Sequence, residues 1–404
     1  MTYQAGRHFL QVPGPSNIPD RILRAIAQPM LDHRGPAWAK LQAEVFERIR
    51  PVFKTRQPVM IFPASGTGGW ESALVNTLSP GDQVLTFDTG QFAVLWGNMA
   101  HKLGLDVQML ATDWRRAPSP EAIEAVLTAD KAHKIKAVLL VHNETSNGVM
   151  SRVGEIRKAI DRAGHPALLM LDTISSLGSA DMRMDEWGVD VVIGGSQKGL
   201  MLPTGLAFVA ASEKARAASK TAKLPRAFWE WEPMIAAANG TGNLPYTPAC
   251  NLFFGLKESL DMIEEEGLEN VFARHARHAE ATRRAVRAWG LDTVCAEPSE
   301  YSQSVTAVFA PEGHSADGLR KAILEKFNMS LGAGLGKLAD KVFRIGHLGD
   351  FNDLMLAGTL SGIEMGLAAA RVPFTRGGVL EALEYLASET SVGDGFQAVP
   401  VRPR

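Results

Sequence analysis

Lys198 sits in Ser196-Gln197-Lys198-Gly199, directly after the apolar run 189–193, which reads as a buried strand. Twenty-six positions upstream, Asp172 closes a second such run, 167–171. A lysine in the depth of an α/β sheet must be paired, deprotonated or covalently used. An aspartate at a matching strand end offers the complementary charge. An amine and a carboxylate so placed suit pyridoxal phosphate (PLP): the lysine carries the cofactor as an imine, and the carboxylate keeps the pyridine nitrogen protonated. The competing reading makes Lys198 a surface loop lysine and Asp172 a helix cap. Several further segments weigh against it.

Ser65-Gly66-Thr67-Gly68-Gly69 follows a strand candidate and precedes a helical stretch. Glycines there let the backbone approach a phosphate, and the helix start presents free N–H groups to it. The segment is neither a Walker loop nor a Gly-x-Gly-x-x-Gly fingerprint. His142-Asn143-Glu144-Thr145-Ser146-Asn147-Gly148 is a polar strand-end loop whose side chains could bond a ring hydroxyl, or simply a turn. Phe92 could stack on a flat ring or belong to the core. Arg344 lies in an otherwise apolar strand, 341–345, and a guanidinium there wants a planar anion such as an α-carboxylate, or else an interdomain salt bridge. His33-Arg34 could reach a second substrate group or a partner subunit, and surface charge is the plainer alternative. His33, His142 and His347 have no metal-ligand spacing, and neither His-Glu-x-x-His nor Gly-x-Ser-x-Gly occurs.

The elements that must hold these residues alternate. Strand candidates are 59–64, 83–87, 107–111, 137–142, 167–171, 189–193 and 206–210, mostly continuous apolar runs as expected for strands covered on both faces. Helical segments such as 70–78, 120–129 and 153–163 lie between them. This βα alternation argues for an α/β fold with a mostly parallel, doubly wound, seven-stranded sheet. Ligands of such sheets bind beyond the carboxyl ends of the strands, where Ser65, Asn143, Asp172 and Lys198 all fall. After about residue 248 the pattern changes: helices at 252–266, 268–289, 317–327 and 353–370, with strands at 304–310 and 341–345, read as a smaller α+β domain. The expected division is an N-terminal segment 1–20, a large domain 21–255 and a small C-terminal domain 256–404, whose tail, 391–404, reads as loosely ordered.

Composition bounds the function. The chain has 404 residues, 46% of them apolar, enough for large cores. Its 42 basic and 44 acidic residues nearly balance, so no electrostatic case exists for nucleic acid or an anionic membrane. Two cysteines, Cys250 and Cys295, allow no disulfide framework and fit a reducing cytosol. Residues 1–13 lack the apolar region of a signal peptide, and no run reaches the roughly 18 to 20 apolar residues that cross a bilayer. The expectation is a soluble cytoplasmic protein.

With these segments in order, the chain resembles the class V (fold type I) PLP-dependent aminotransferases, in particular the serine/alanine–glyoxylate branch. The likeness runs from Pro13-Gly14-Pro15-Ser16-Asn17-Ile18-Pro19 to about Ile363. It is strongest in Asp172-Thr173-Ile174-Ser175-Ser176-Leu177-Gly178, Asp185-Glu186-Trp187-Gly188-Val189-Asp190 and Gly195-Ser196-Gln197-Lys198-Gly199; Tyr246-Thr247-Pro248 and Arg344-Ile345-Gly346 add to it. The resemblance implies that Lys198 carries the cofactor, Asp172 pairs with its ring nitrogen and Ile174 packs on the ring. It implies Ser65, Gly66, Thr67 and Gln197 at the phosphate, Thr145 at the ring oxygen and Arg344 at the substrate α-carboxylate. Thr247 would reach the phosphate of a neighbouring subunit, which requires a homodimer. Phe92 stands where some relatives stack a tryptophan, and Leu244 where some carry a phosphate-binding tyrosine. The implied reaction is transamination of glyoxylate to glycine with serine as donor. Aspartate or alanine as donor is the alternative, Arg34 being the residue that would favour a distal carboxylate; phosphoserine transamination follows. A non-catalytic α/β ligand-binding protein is the rival of a different class.

Overall fold

The computed structural model describes residues 5–388, so the tail 391–404 lies outside the described residues. Its strands are, in chain order, β1 (Phe9–Gln11), β2 (Val59–Phe62), β3 (Gln83–Asp88), β4 (Asp106–Ala111), β5 (Ile135–Val141), β6 (Asn143–Glu144), β7 (Val149–Met150), β8 (Leu168–Asp172), β9 (Val191–Gly195), β10 (Ala207–Ala211), β11 (Val305–Phe309), β12 (Met329–Ala333) and β13 (Val342–Gly346). Seven of them form one sheet in the order β2-β10-β9-β8-β5-β3-β4. β10 runs antiparallel to both of its neighbours, and the remaining adjacent pairs are parallel.

Every residue of β2, β8, β9 and β10 is buried, which is why their sequences are continuous apolar runs rather than alternating ones. Alternation survives in which layer each side chain enters. In β8, Leu169 and Leu171 join the core layer of Phe46, Phe53 and Phe253, whereas Leu168 and Met170 join the opposite layer of Trp70, Trp96 and Trp231. Asp172, two residues past Met170, is therefore aimed into the second layer, at the carboxyl end of a central strand. The helices Gly66–Thr77 and Gln91–Lys102 cover that layer.

A second sheet has the order β1-β12-β13-β11 and packs on the helices Leu268–Ala288, Ala316–Phe327 and Asp353–Ala369, with the helix Gly378–Ala387 lying against the first and third of these. The strands read from the sequence at 304–310 and 341–345 are β11 and β13. β1 and β12 were not anticipated. β1 is three residues long, and β12 (Met-Ser-Leu-Gly-Ala) interrupts its apolar residues with serine and glycine. β1 pairs in parallel with β12, Phe9 opposite Met329, so the start of the described chain is bound into the sheet that carries Arg344.

Candidate active site

Two adjacent parallel strands bring the central pair together. Asp172 is the last residue of β8, and Lys198 follows β9 by three positions. Asp172 is 4% exposed and its carboxylate is held at both oxygens: Oδ1 accepts the Ile174 N–H at 2.7 Å, and Oδ2 accepts the Trp70 indole N–H at 3.0 Å. Burial raises its pKa to about 7. The Ile174 bond, the indole and the Lys198 charge oppose that rise, while the Glu144 charge adds to it.

Lys198 is 8% exposed, and its Nζ donates to the Pro13 carbonyl. Burial, with the Arg344 charge in support, draws its pKa down to about 8, against the pull of Asp172. The segment around Pro13 is pinned over the lysine: the Ser16 N–H bonds the Gln197 carbonyl at 3.0 Å and Ser16 Oγ bonds the Lys198 carbonyl at 2.9 Å. Gly14 has φ +95°, and a Cβ there would stand 2.4 Å from Lys198 Nζ, so this position requires glycine twice over. Arg344, on β13, reaches in from the second sheet. Its Nε donates to the Ala333 carbonyl at 2.6 Å and a terminal nitrogen donates to the Thr145 carbonyl at 2.8 Å. Burial lowers its pKa to about 10, with the Glu144 charge acting in the other direction.

The segment expected at a phosphate is the N-terminus of the helix Gly66–Thr77, with Ser65 as its N-cap; the Ser65 hydroxyl makes no capping bond. A Cβ on Gly66 would lie 2.3 Å from Ile174 Cδ1. Gln197 is close by, since a Cβ on Gly195 would meet both Gln197 Oε1 at 3.1 Å and the Gly66 nitrogen at 3.6 Å. That Gln197 oxygen is buried without a hydrogen-bond partner. An uncommitted hydroxyl and open helix N–H groups beside a glycine-lined space suit an anionic group, and the Gln197 amide would add a donor through its NH2 group, not through the orphaned oxygen. Thr67, in the first helical turn, is exposed. The residues therefore fit PLP at both ends: a phosphate at Ser65, Gly66 and Gln197, and a basic ring nitrogen at Asp172.

Thr145 is buried, and its hydroxyl bonds Ser175 Oγ at 2.8 Å. Phe92 lies at the start of the helix Gln91–Lys102, half-buried, against the second core layer. Arg34 and Thr247 are exposed; Arg34 sits in the turn before the helix Pro36–Arg48 with its backbone N–H on Asp32. Among the described residues, no hydrogen bond or ion pair ties either side chain to the Lys198 cluster. Leu244 is half-buried and packs at the edge of both core layers.

Sequence reasoning passed over two residues of this site. Trp70 read only as the beginning of a helix. Glu144 read only as part of the polar loop, yet it is 2% exposed and accepts from the Phe92 and Ala93 N–H groups and from Ser146 Oγ, which fastens the Phe92 helix to the loop carrying Thr145. Burial raises its pKa against those bonds. A charged residue inside a strand-end loop, flanked by small polar residues, was the available signal.

Residues 8–336 match the family model described as aminotransferase class-V. Over 392 residues the chain is 50% identical to a serine–glyoxylate aminotransferase of Methylorubrum extorquens, covering 95% of this chain and 97% of that one. It is 46% identical to an L-aspartate–glyoxylate aminotransferase of Paracoccus denitrificans, covering 94% and 96%. The crystal structure of pyridoxamine–pyruvate aminotransferase from Mesorhizobium loti superposes with a TM-score of 0.89 at 27% identity, covering 96% of this chain and 99% of that one. The chain belongs to the class-V aminotransferase family, with the fold type I architecture, and its cofactor is pyridoxal phosphate.

Proposed function

We propose that this enzyme transfers the amino group of L-serine to glyoxylate, yielding hydroxypyruvate and glycine. The observation that supports the reading is the buried cluster of one amine, one carboxylate and one guanidinium, Lys198, Asp172 and Arg344, each acting electrostatically on Lys198 or being Lys198 itself. The 50% identity to a serine–glyoxylate aminotransferase directs the choice of substrates.

Bound PLP supplies an electron sink for the bond broken at the substrate Cα. Asp172 holds a proton at the ring nitrogen; an adjacent cation would draw its raised pKa back down and keep the carboxylate ionised. Lys198 Nζ, already shifted toward the neutral amine, would take the proton from the substrate Cα and pass it on to the cofactor carbon, and in the opposite half-reaction would move a proton the other way, back to Cα. Arg344 grips the α-carboxylate, exchanging its backbone carbonyl partners for a charged one. Ser65, Gly66, Thr67 and Gln197 would hold the phosphate, Ile174 and Phe92 would offer apolar surface to the ring, and Thr145 would serve the ring oxygen. Arg34 is exposed and stands apart from the Lys198 cluster of its own chain, so within one chain it supplies no second guanidinium for a distal carboxylate. Thr247 is exposed in the single chain as well, consistent with a homodimer in which it completes the partner's phosphate site. Among the described residues no helix is long and apolar enough to cross a membrane, and two free buried cysteines suit the reducing cytoplasm.

The test is a donor panel of serine, alanine, aspartate and phosphoserine against glyoxylate with the PLP-loaded enzyme. Serine should give the highest kcat/KM, with hydroxypyruvate formed in step with glycine. A tenfold preference for aspartate would overturn the donor assignment and restore Arg34 to the substrate site.

A further inference from the structure

We propose that Trp70 is a positioning residue of this reaction: its indole N–H fixes the plane of the Asp172 carboxylate, so that the carboxylate stays turned toward the ring nitrogen of the bound cofactor. The inference rests on the role proposed above for Asp172.

Four observations carry it. The two Asp172 oxygens are held separately, one by a backbone N–H from its own turn and the other by Trp70 Nε1, 102 positions away. Two bonds to different oxygens define the plane of a carboxylate, whereas one leaves it free to rotate about Cβ–Cγ. Both donors are neutral, so they orient the charge without cancelling it, leaving it for a cation to use. A lysine or arginine at position 70 would hold the same oxygen and compete with the ring nitrogen. Trp70 cannot follow a swinging carboxylate: it is 2% exposed and its ring stacks on buried Trp96, with centroids 5.8 Å apart and planes 15° from parallel. Finally, Trp70 lies on the same helix, Gly66–Thr77, whose first residues form the phosphate cradle. One rigid element thus sets the registration between the phosphate end of the cofactor and the carboxylate at its ring nitrogen.

Trp70→Phe keeps a ring against Trp96 and removes only the donor and one ring. With PLP bound, kcat should fall about tenfold, the scale of one hydrogen bond to a charged group, while KM for serine and glyoxylate stays within about twofold. A purely structural role would instead lower thermal stability and leave kcat per folded, loaded site intact. An independent readout uses the cofactor-free protein labelled with ¹⁵N-tryptophan. One of the eight indole N–H signals should move as Asp172 titrates near pH 7, be missing in Trp70→Phe and stay still in Asp172→Asn. This readout tests the bond itself even if Trp70→Phe does not fold, because wild type and Asp172→Asn suffice for it. Wild-type kcat in Trp70→Phe, or eight indole signals that all ignore Asp172, overturns the proposal. If Asp172→Asn loses activity while Trp70→Phe does not, only the Trp70 inference falls; if Asp172→Asn keeps wild-type kcat, the role of Asp172 falls with it.

Discussion

Lys198 and Asp172 are both pushed toward neutrality by burial, in opposite directions along the pH axis, to about 8 and about 7. The amine is therefore partly free base near neutral pH, which a proton carrier at Cα needs. Lys198→Ala should abolish transamination, and borohydride should fix the cofactor covalently on the wild-type chain but not on this variant; steady turnover by the alanine variant would refute the assignment. The carboxylate leaves a signature in the cofactor-free protein. Between its ordinary value of 3.8 and about 7 the folded chain retains a proton that the unfolded chain has released. Stability from this group is thus complete at low pH and is lost as pH rises through about 7. The melting temperature of Asp172→Asn, followed from pH 4 to 8 without cofactor, should decline less steeply than that of wild type. Parallel curves would mean that Asp172 ionises normally.

At the scale of elements, the site is made where regular structure stops. β8 and β9 are parallel neighbours, so their carboxyl ends deliver Asp172 and the Lys198 turn to the same edge. The helix Gly66–Thr77 begins at that edge, and a Cβ on its first residue would press on the Ile174 side chain. Gly66→Ala would place a methyl 2.3 Å from Ile174 Cδ1, displacing either the helix start or the residue assigned to the ring face. Overpacking of this kind costs about 1–3 kcal/mol of stability, and the displaced helix start or Ile174 side chain should weaken PLP binding. A fluorescence titration of the cofactor-free variant with PLP measures this, and an unchanged Kd would remove Gly66 from the cradle. The Gln91–Lys102 helix depends instead on Glu144, whose buried carboxylate caps its N-terminus and so sets where Phe92 lies.

At the scale of the whole molecule, the guanidinium proposed to bind substrate and the amine proposed to carry the cofactor come from different sheets. Arg344 spans the gap by bonding the Thr145 carbonyl, and Glu300 reinforces it by accepting the Ala117 N–H and the Arg116 side chain. Arg344→Ala should raise KM for serine and for glyoxylate by about a hundredfold, the scale of a bidentate carboxylate pair in a buried setting, with a smaller effect on kcat. An unchanged KM for glyoxylate would exclude Arg344 from the site. The exposed position of Thr247 adds an expectation about assembly: sedimentation should report a dimer, and Thr247→Ala should loosen PLP without changing monomer stability.

Much of this was legible in the chain itself. Continuous apolar runs marked the strands of the large sheet because burial on both faces removes polar residues, and the chemistry-bearing side chains stood at the ends of those runs. Asp172, Lys198 and Ser65 stand out that way, whereas Arg344 stands out as a charge inside an apolar strand of the second sheet. What the chain did not announce were meetings across long separations: Trp70 with Asp172, and Lys198 with the Pro13 carbonyl 185 positions away. The pairing of Phe9–Gln11 with Met329–Leu331 belongs with them. Hydrophobic periodicity is a local property of a few residues, so it reports which face a side chain takes. Which partner waits on that face depends on strand order and on how two sheets close over one edge, and only the folded chain decides that.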